Sequence, residues 1–339
     1  MNHNKKAVIL VNVGSPDQPK VKYVRKYLTE FLNDRRVIDL PLLLQKFLVN
    51  LIIIPFRKKK STRLYKMLWT DEGSPLIYIQ QKVASELNKL LGDEYKVFSV
   101  MRYGNPSFKL ILDKLENDKF HEIIVVPLYP QYASSTTGSV VQLAMNKIQY
   151  WNVIPKISFI DQFYNSDAYI NAFVERAQQY DLNDYDHFVF SYHGLPDRHI
   201  NKIHPAITID KCNCTEQMPL HGTYCYKATC YATTRLLASR LNIPANKYTV
   251  SFQSRLSKNW LTPFTNEILI EKAKSGIKNI LVFCPAFVTD CLETIIEIGF
   301  EYKELFEQNG GKNLTMVESL NDSQIWVEGL KTLILDRNE

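Results

Sequence analysis

The stretch Val8-Ile9-Leu10-Val11-Asn12-Val13-Gly14-Ser15-Pro16-Asp17 decides the fold. Its first four residues are apolar without alternation, the signature of a strand buried on both faces, and the Gly-Ser-Pro-Asp that follows is turn chemistry. Strands covered on both faces belong to parallel sheets packed between helices. Similar runs, broken at most by a serine, recur at 97–100, 123–126, 188–190, 250–252 and 280–283. Helical periodicity fills the intervals, at 21–32, 79–91, 168–179, 228–241 and 292–306. The expected class is therefore α/β.

The two halves of the chain share one grammar. Ser191-Tyr192-His193-Gly194-Leu195-Pro196-Asp197 leaves a strand near the middle as Val11 to Asp17 leaves the first. Tyr95 and Arg102 are seven apart, as are Tyr248 and Arg255, and strands run into proline at Pro127 and Pro285. Three matches in the same order predict an internal duplication of a Rossmann-like unit, each a parallel sheet flanked by helices. The expected boundaries are 1–163 and 164–339. Open α/β sheets bind ligands at strand carboxyl ends, so these exit loops should line one cleft.

The 339 residues fit two domains, and 45% apolar content supplies their cores. The formal charge of +6 is uneven: residues 1–60 carry +9 and the remainder −3, which argues against a chain-wide nucleic-acid surface. No G-x-G-x-x-G, P-loop or G-x-S-x-G pattern occurs, so dinucleotide, P-loop and α/β-hydrolase chemistry lose their main support. The N-terminal apolar run is too short for a signal peptide, and a cytoplasmic protein is expected. Leu40 to Phe56 is very apolar and ends against Arg57-Lys58-Lys59-Lys60. It is too short and interrupted to span a bilayer. It reads either as a buried helix or as an apolar lip (40–56) whose basic edge, to residue 60, meets an anionic membrane surface or a greasy, acidic ligand.

Three constellations could carry chemistry. His193 stands at a strand exit, where a neutral imidazole serves as base or metal ligand, or merely packs in the turn. Asp290, Glu293 and Glu297 are spaced by three and four, which puts them on one face of an α-helix, and such a carboxylate line with one imidazole suits divalent iron. Capping by Asp290 would explain part of that pattern. Cys212, Cys214, Cys225 and Cys230 lie in a polar, turn-rich insertion (201–230). In a reducing compartment they indicate metal: the spacing favours a 2Fe–2S cluster, with zinc, or unmetallated thiols, as alternatives, and His221 in reserve as a ligand.

With these residues assembled, the chain resembles the ferrochelatases, which insert ferrous iron into a porphyrin at the end of haem synthesis. The resemblance rests on Val11 to Pro16, Phe31 to Asp34, Gly73-Ser74-Pro75-Leu76, Met101 to Pro106, Pro127 to Tyr132, Ser135 to Gly138, His193-Gly194-Leu195-Pro196, Phe252 to Arg255 and Asp290-Cys291-Leu292-Glu293-Thr294. It implies two Rossmann-like domains around a porphyrin cleft. It also implies His193 and Glu293 as the catalytic, iron-handling pair, extended by Glu297 and Asp290, with Fe2+ as substrate. Ser74, Arg102, Tyr103, Tyr132, Gln253, Ser254 and Trp260 would bind porphyrin. Protoporphyrin IX is the expected substrate; coproporphyrin III chelation and a noncatalytic tetrapyrrole or metal carrier are the rivals. The cysteines at 212–230 resemble the internal cysteines of some bacterial members. No cysteine follows Cys291, so the C-terminal cluster of animal-type members is absent.

Overall fold

β1 (Lys6–Ser15) forms where the apolar run demanded it, with Ala7 to Val11 fully buried. The computed structural model describes residues 5–118, 120–204 and 206–336. Parallel to β1 lie β2 (Tyr95–Gly104) on one side and β3 (Glu122–Pro127) on the other, and β4 (Lys156–Phe159) extends the sheet beyond β3. A second sheet is built from β5 (His187–His193), β6 (Tyr248–Gln253), β7 (Asn279–Phe283) and β8 (Asn313–Met316), all parallel. The orders β2-β1-β3-β4 and β6-β5-β7-β8 are the same topology twice. The α/β reading and the duplicated Rossmann-like unit are thereby observed.

In each sheet the order reverses beside the first strand, and the carboxyl ends flanking that switch point are where such folds bind ligands. In the second sheet those ends are His193-Gly194 and Phe283-Cys284. The cores beneath are apolar. Ile9, Val11, Val125, Phe108, Leu112 and Val140 cluster in the first, and Val189, Ile280, Val282, Leu269 and Phe306 in the second. Each such side chain contributes about 1.5–3 kcal/mol on burial. Gly14 shows how tightly the strand exits pass: at φ 111°, a Cβ there would lie 1.9 Å from the Tyr103 carbonyl oxygen.

The chain divides into two compact units, one running to Gln162 and taking in the chain from Val327 on, the other Phe163–Trp326. The sequence reading placed everything after 163 in the second. The last helix, Gln324–Leu335, buries Val327, Leu330 and Ile334. An apolar stripe says that a helix is buried, not which core it joins.

Residues 42–68 form helical turns throughout: α-helix at Leu42–Phe47, π-helix at Leu48–Ile53, α-helix at Ile54–Leu68. Up to Phe56 most apolar side chains face outward. Gln45 and Val49 are buried, with Gln45 Nε2 donating to the Leu32 carbonyl (3.4 Å), whereas Leu43 is 84% and Phe56 80% exposed. Leu42, Leu44, Phe47, Leu51 and Ile52 are exposed as well. The segment is helical with most of its apolar side chains exposed, which is not the pattern of a buried helix. Among the described residues no helix is long and apolar enough to cross a membrane.

Candidate active site

His193 ends β5, and its ring is fixed by its own turn. Nδ1 lies 2.7 Å from the Gly194 carbonyl oxygen, which can only accept, so in the neutral ring Nδ1 carries the hydrogen and Nε2 keeps the lone pair. The turn is held by β6, since Gly194 N donates to the Gln253 carbonyl at 2.8 Å. A Cβ on Gly194 would come within 2.8 Å of that oxygen, which explains a glycine beside the histidine. Trp260 and Phe287 flank the imidazole with ring centroids at 6.5 and 6.4 Å, and Trp260 pairs with Pro196. The result is a half-buried imidazole with an available acceptor nitrogen among aromatic rings.

The three acids do not sit on an α-helix. Leu292–Tyr302 is a π-helix, continued by an α-helix at Lys303–Gln308. Its i→i+5 bonds place residues five apart on one face. Tyr302 accordingly reaches Glu297, donating to Oε1 at 3.0 Å. The same oxygen accepts Ser254 N at 2.8 Å, while Oε2 accepts Gln253 Nε2 at 3.2 Å and the Ser254 hydroxyl. Four donors thus hold one carboxylate. They are aimed by a buried relay. Ser191 Oγ donates to Gln253 Oε1 (2.8 Å), which leaves its oxygen to accept from Thr265, which in turn accepts from Ser251 (2.8 and 2.9 Å). That chain fixes the Gln253 amide so that its nitrogen faces Glu297 and the Glu293 carbonyl (2.8 Å).

Glu293 and Asp290 are treated differently. The half-buried Glu293 carboxylate meets the Cys291 thiol, which burial and then this acid push up, so the thiol stays protonated beside it. Asp290 is buried and fully engaged: Asn321 Nδ2 donates to Oδ2 at 2.7 Å and Thr294 Oγ1 to Oδ1 at 2.9 Å. The helix cap is Cys291, whose N–H donates to Thr294 Oγ1 at 2.9 Å. Asp290 is thus tied to the 319–321 loop and the helix start, and the straight line drawn from α-helical spacing is not the one that forms.

The remaining candidates lie in the first unit. Arg102 pairs with Asp34 (2.6 Å) and donates from Nε to Ser139 Oγ (2.8 Å), with side-chain exposures of only 18% for Arg102 and 9% for Asp34. Tyr103 OH donates to the same Asp34 oxygen at 2.8 Å, and burial raises its phenol far above the usual range. Arg102 and Tyr103 therefore belong to one buried network. Ser74 caps the helix Pro75–Leu91, and its buried hydroxyl has no hydrogen-bond partner among the described residues. Tyr132 is half-buried, with its hydroxyl beside Gly138.

A sequence model of the ferrochelatase family matches residues 5–338. This chain belongs to the ferrochelatase family. It is 40% identical over 333 residues to a ferrochelatase of Legionella pneumophila, covering 97% of this chain and 98% of the relative. To a ferrochelatase of Coxiella burnetii it is 41% identical over 334 residues, covering 97% and 93%. Among solved structures it is similar in fold to SirB from Bacillus subtilis with Fe3+, at TM-score 0.55, 13% identity, and coverage of 98% and 95%. It is also similar to the sirohydrochlorin chelatase SirB of B. subtilis subspecies spizizenii in complex with cobalt, at TM-score 0.50 and 11% identity, with the same coverage. The chain is a porphyrin metal chelatase of haem synthesis, with ferrous iron as substrate, and the noncatalytic carrier is set aside.

The unit Phe163–Trp326 also carries the cysteine-rich insertion. Cys212, Cys214, Cys225 and Cys230 are all buried and free. Cys214 hydrogen-bonds with Cys225, which lowers the Cys225 thiol and raises that of Cys214. Two imidazoles join them: His204 Nε2 lies 3.1 Å from Cys225 Sγ, and His221 Nε2 lies 3.8 Å from Cys212 Sγ. Cys230 is fully buried, hydrogen-bonds with Tyr226 and feels the Cys225 sulfur. Tyr226 donates its hydroxyl proton to the His193 carbonyl (2.9 Å). His204, Cys212 and His221 each offer a ligand atom within 4.8 Å of the others and could hold a metal ion. His204 was missed by sequence reasoning; a histidine eight residues before the first cysteine, in so polar an insertion, was the available signal. Ser191, Thr265, Tyr302, Thr294 and Asn321 were missed too, being ordinary side chains whose role exists only through contacts.

Proposed function

We propose that this enzyme inserts Fe2+ into protoporphyrin IX, with His193 Nε2 taking pyrrole protons and Glu293 handling the metal. The observation that carries this reading is the contrast between the two glutamates. Glu297 is held by four donors and acts as a fixed negative charge, whereas Glu293 meets a thiol that can release it. Metallation needs both: a base for two departing protons, and a ligand weak enough to give up iron. Glu297 and Asp290, the latter tied to Asn321 and Thr294 at the helix start, extend the acidic side of the metal site. Ser74, Arg102, Tyr103, Tyr132, Gln253, Ser254 and Trp260 remain the residues assigned to porphyrin contact.

The exposed lip supports protoporphyrin over coproporphyrin III. Its outward leucines and phenylalanines suit a substrate with apolar edges arriving from a membrane surface, and its basic edge suits two propionates and anionic lipid together. We place the enzyme in the cytoplasm with peripheral membrane contact through 40–60. We read Cys212, Cys214, Cys225 and Cys230 as ligands of a 2Fe–2S cluster, with zinc as the alternative; iron and acid-labile sulfide in anaerobically purified protein support the cluster, and their absence overturns it. Anaerobic turnover of both porphyrins tests the assignment: kcat/KM should favour protoporphyrin IX, and a preference for coproporphyrin III would overturn it. Glu293→Gln should lower kcat far more than porphyrin affinity.

A further inference from the structure

β5 leaves its sheet unevenly. It pairs with β6 as far as His193 opposite Gln253, but with β7 only as far as Phe190 opposite Phe283, where β7 ends and the chain runs into Cys284-Pro285. Among the described residues His193 therefore has a paired strand on one side only. In a trans peptide the carbonyl and the N–H that follows it point opposite ways. The Gly194 N–H is given to the Gln253 carbonyl of β6 at 2.8 Å, so the His193 carbonyl is turned toward the side that β7 has left. A carbonyl turned inward without a donor is costly, and this one needs a donor from outside the sheet.

That donor is the Tyr226 hydroxyl, at 2.9 Å. Tyr226 opens the helix Tyr226–Arg240 and is buried. Burial pushes its phenol well above the ordinary range, so it stays protonated and able to donate. The same helix grips β5 a second time, with Thr234 Oγ1 2.8 Å from the Tyr192 hydroxyl. The His193–Gly194 peptide plane is thus held at both ends, its N–H by β6 and its carbonyl by Tyr226. Outside restraint matters here because glycine, with no Cβ, restrains its own backbone less than any other residue. The imidazole also hangs on the next carbonyl, Nδ1 lying 2.7 Å from the Gly194 oxygen. A tilt of the plane moves that oxygen and swings the ring.

We propose that Tyr226 is a positioning residue for metallation: by clamping the His193 carbonyl it aims Nε2 at the pyrrole protons. The proposal rests on the reading of His193 as the base. The Tyr226 hydroxyl proton is committed to the backbone, so the residue acts through His193 and does not itself exchange protons with substrate. Misplacing a reacting group by about an ångström costs up to about 10²-fold in rate, which sets the scale of the effect.

The test is a double-mutant cycle in anaerobic turnover of the full-length protein, with Tyr226→Phe, His193→Ala and the pair. Tyr226→Phe should lower kcat about 10- to 100-fold while KM for Fe2+ and for porphyrin stays within about threefold. In the His193→Ala background it should lower kcat no further, because no ring is left to aim. Thr234→Val, which breaks the helix's other grip on β5, is the control: it should melt lower, as Tyr226→Phe does, yet keep kcat within about twofold. Protein labelled with 15N-histidine gives a second readout. The resonance that His193→Ala removes should report hydrogen on Nδ1 in the wild type, whatever the folding of the variants, and a mixture of tautomers in Tyr226→Phe. Equal losses of kcat from Tyr226→Phe in both backgrounds, or a matching loss in Thr234→Val, would reduce the tyrosine to a structural role and overturn the proposal, as would a wild-type His193 protonated on Nε2. Tyr226→Phe turning over at the wild-type rate while His193→Ala has lost activity would overturn the proposal alone. His193→Ala at the wild-type rate would overturn the reading of the base, and the proposal with it.

Discussion

Replacing Glu297 with glutamine keeps shape and removes charge, so its effect can be worked from four contacts. Oε1 accepts Ser254 N at 2.8 Å and Tyr302 OH at 3.0 Å, and Oε2 accepts Gln253 Nε2 at 3.2 Å and the Ser254 hydroxyl. An amide offers one oxygen. If it takes the Oε1 place, its NH2 faces the Gln253 NH2, donor against donor, and Gln253 cannot flip because Ser191 holds its oxygen at 2.8 Å. One bond to a charged acceptor, worth about 1.5–3 kcal/mol, is lost, and the others fall to neutral strength, at roughly 0.5–1 kcal/mol each. Relief of carboxylate desolvation offsets part of this, leaving a net cost of about 3 kcal/mol. For a unit of this size that lowers Tm by roughly 6–12 °C. Thermal melting followed by circular dichroism measures it, with Tyr302→Phe, which removes one donor in four, as the control at about a third of the shift. A Glu297→Gln protein that melts with the wild type would refute the four-donor clamp.

Two further outcomes follow from the rest of the fold. His187 is buried, with Nε2 2.9 Å from Thr249 Oγ1, and burial lowers its pKa to about 4 from an ordinary 6.5. The unfolded chain therefore binds the proton first as pH falls, so stability present above pH 6.5 is lost between 6.5 and about 4. Melting at stepped pH should show that slope, and it should flatten in His187→Gln; an unchanged slope would reassign it to other groups. In the lip, Leu43 at 84% exposure and Phe56 at 80% contribute little to folding. The double aspartate variant should melt within about 0.5 kcal/mol of wild type and lose sedimentation with anionic vesicles; equal sedimentation would argue against membrane contact.

How far the sequence was legible depended on burial. Six runs proved to be β1, β2, β3, β5, β6 and β7; those of β1, β3, β5 and β7 are apolar because both faces are covered, while β2, at a sheet edge, is legible although half-buried. β4 and β8 were missed: Lys156-Ile157-Ser158-Phe159 and Asn313-Leu314-Thr315-Met316 are only four residues long, alternate polar with apolar and are mostly exposed or half-buried, so their composition resembles loop. The π-helix was misread because Glu293 and Glu297 are four apart, a spacing that also satisfies an α-helix. Only a contact such as Tyr302 on Glu297, five residues on, distinguishes the two. His193 and the acids were recognisable by residue type and motif. What fixes them, the hydroxyl relay from Ser251 to Gln253, consists of common polar residues that a sequence cannot pair. The lip was ambiguous for a related reason: Gln45 turned inward against the Leu32 carbonyl is what frees the leucines to face out.

The most direct measurement is anaerobic haem formation from Fe2+ and protoporphyrin IX by wild-type and His193→Ala protein, with porphyrin binding followed by fluorescence in parallel. With Nδ1 committed to the Gly194 carbonyl, Nε2 is the acceptor nitrogen, and removing it should lower kcat by about 10²-fold or more. Porphyrin affinity should stay within about threefold, since the alanine deletes a base and not the pocket. Haem formation by His193→Ala at the wild-type rate would contradict the assignment of proton transfer to this residue.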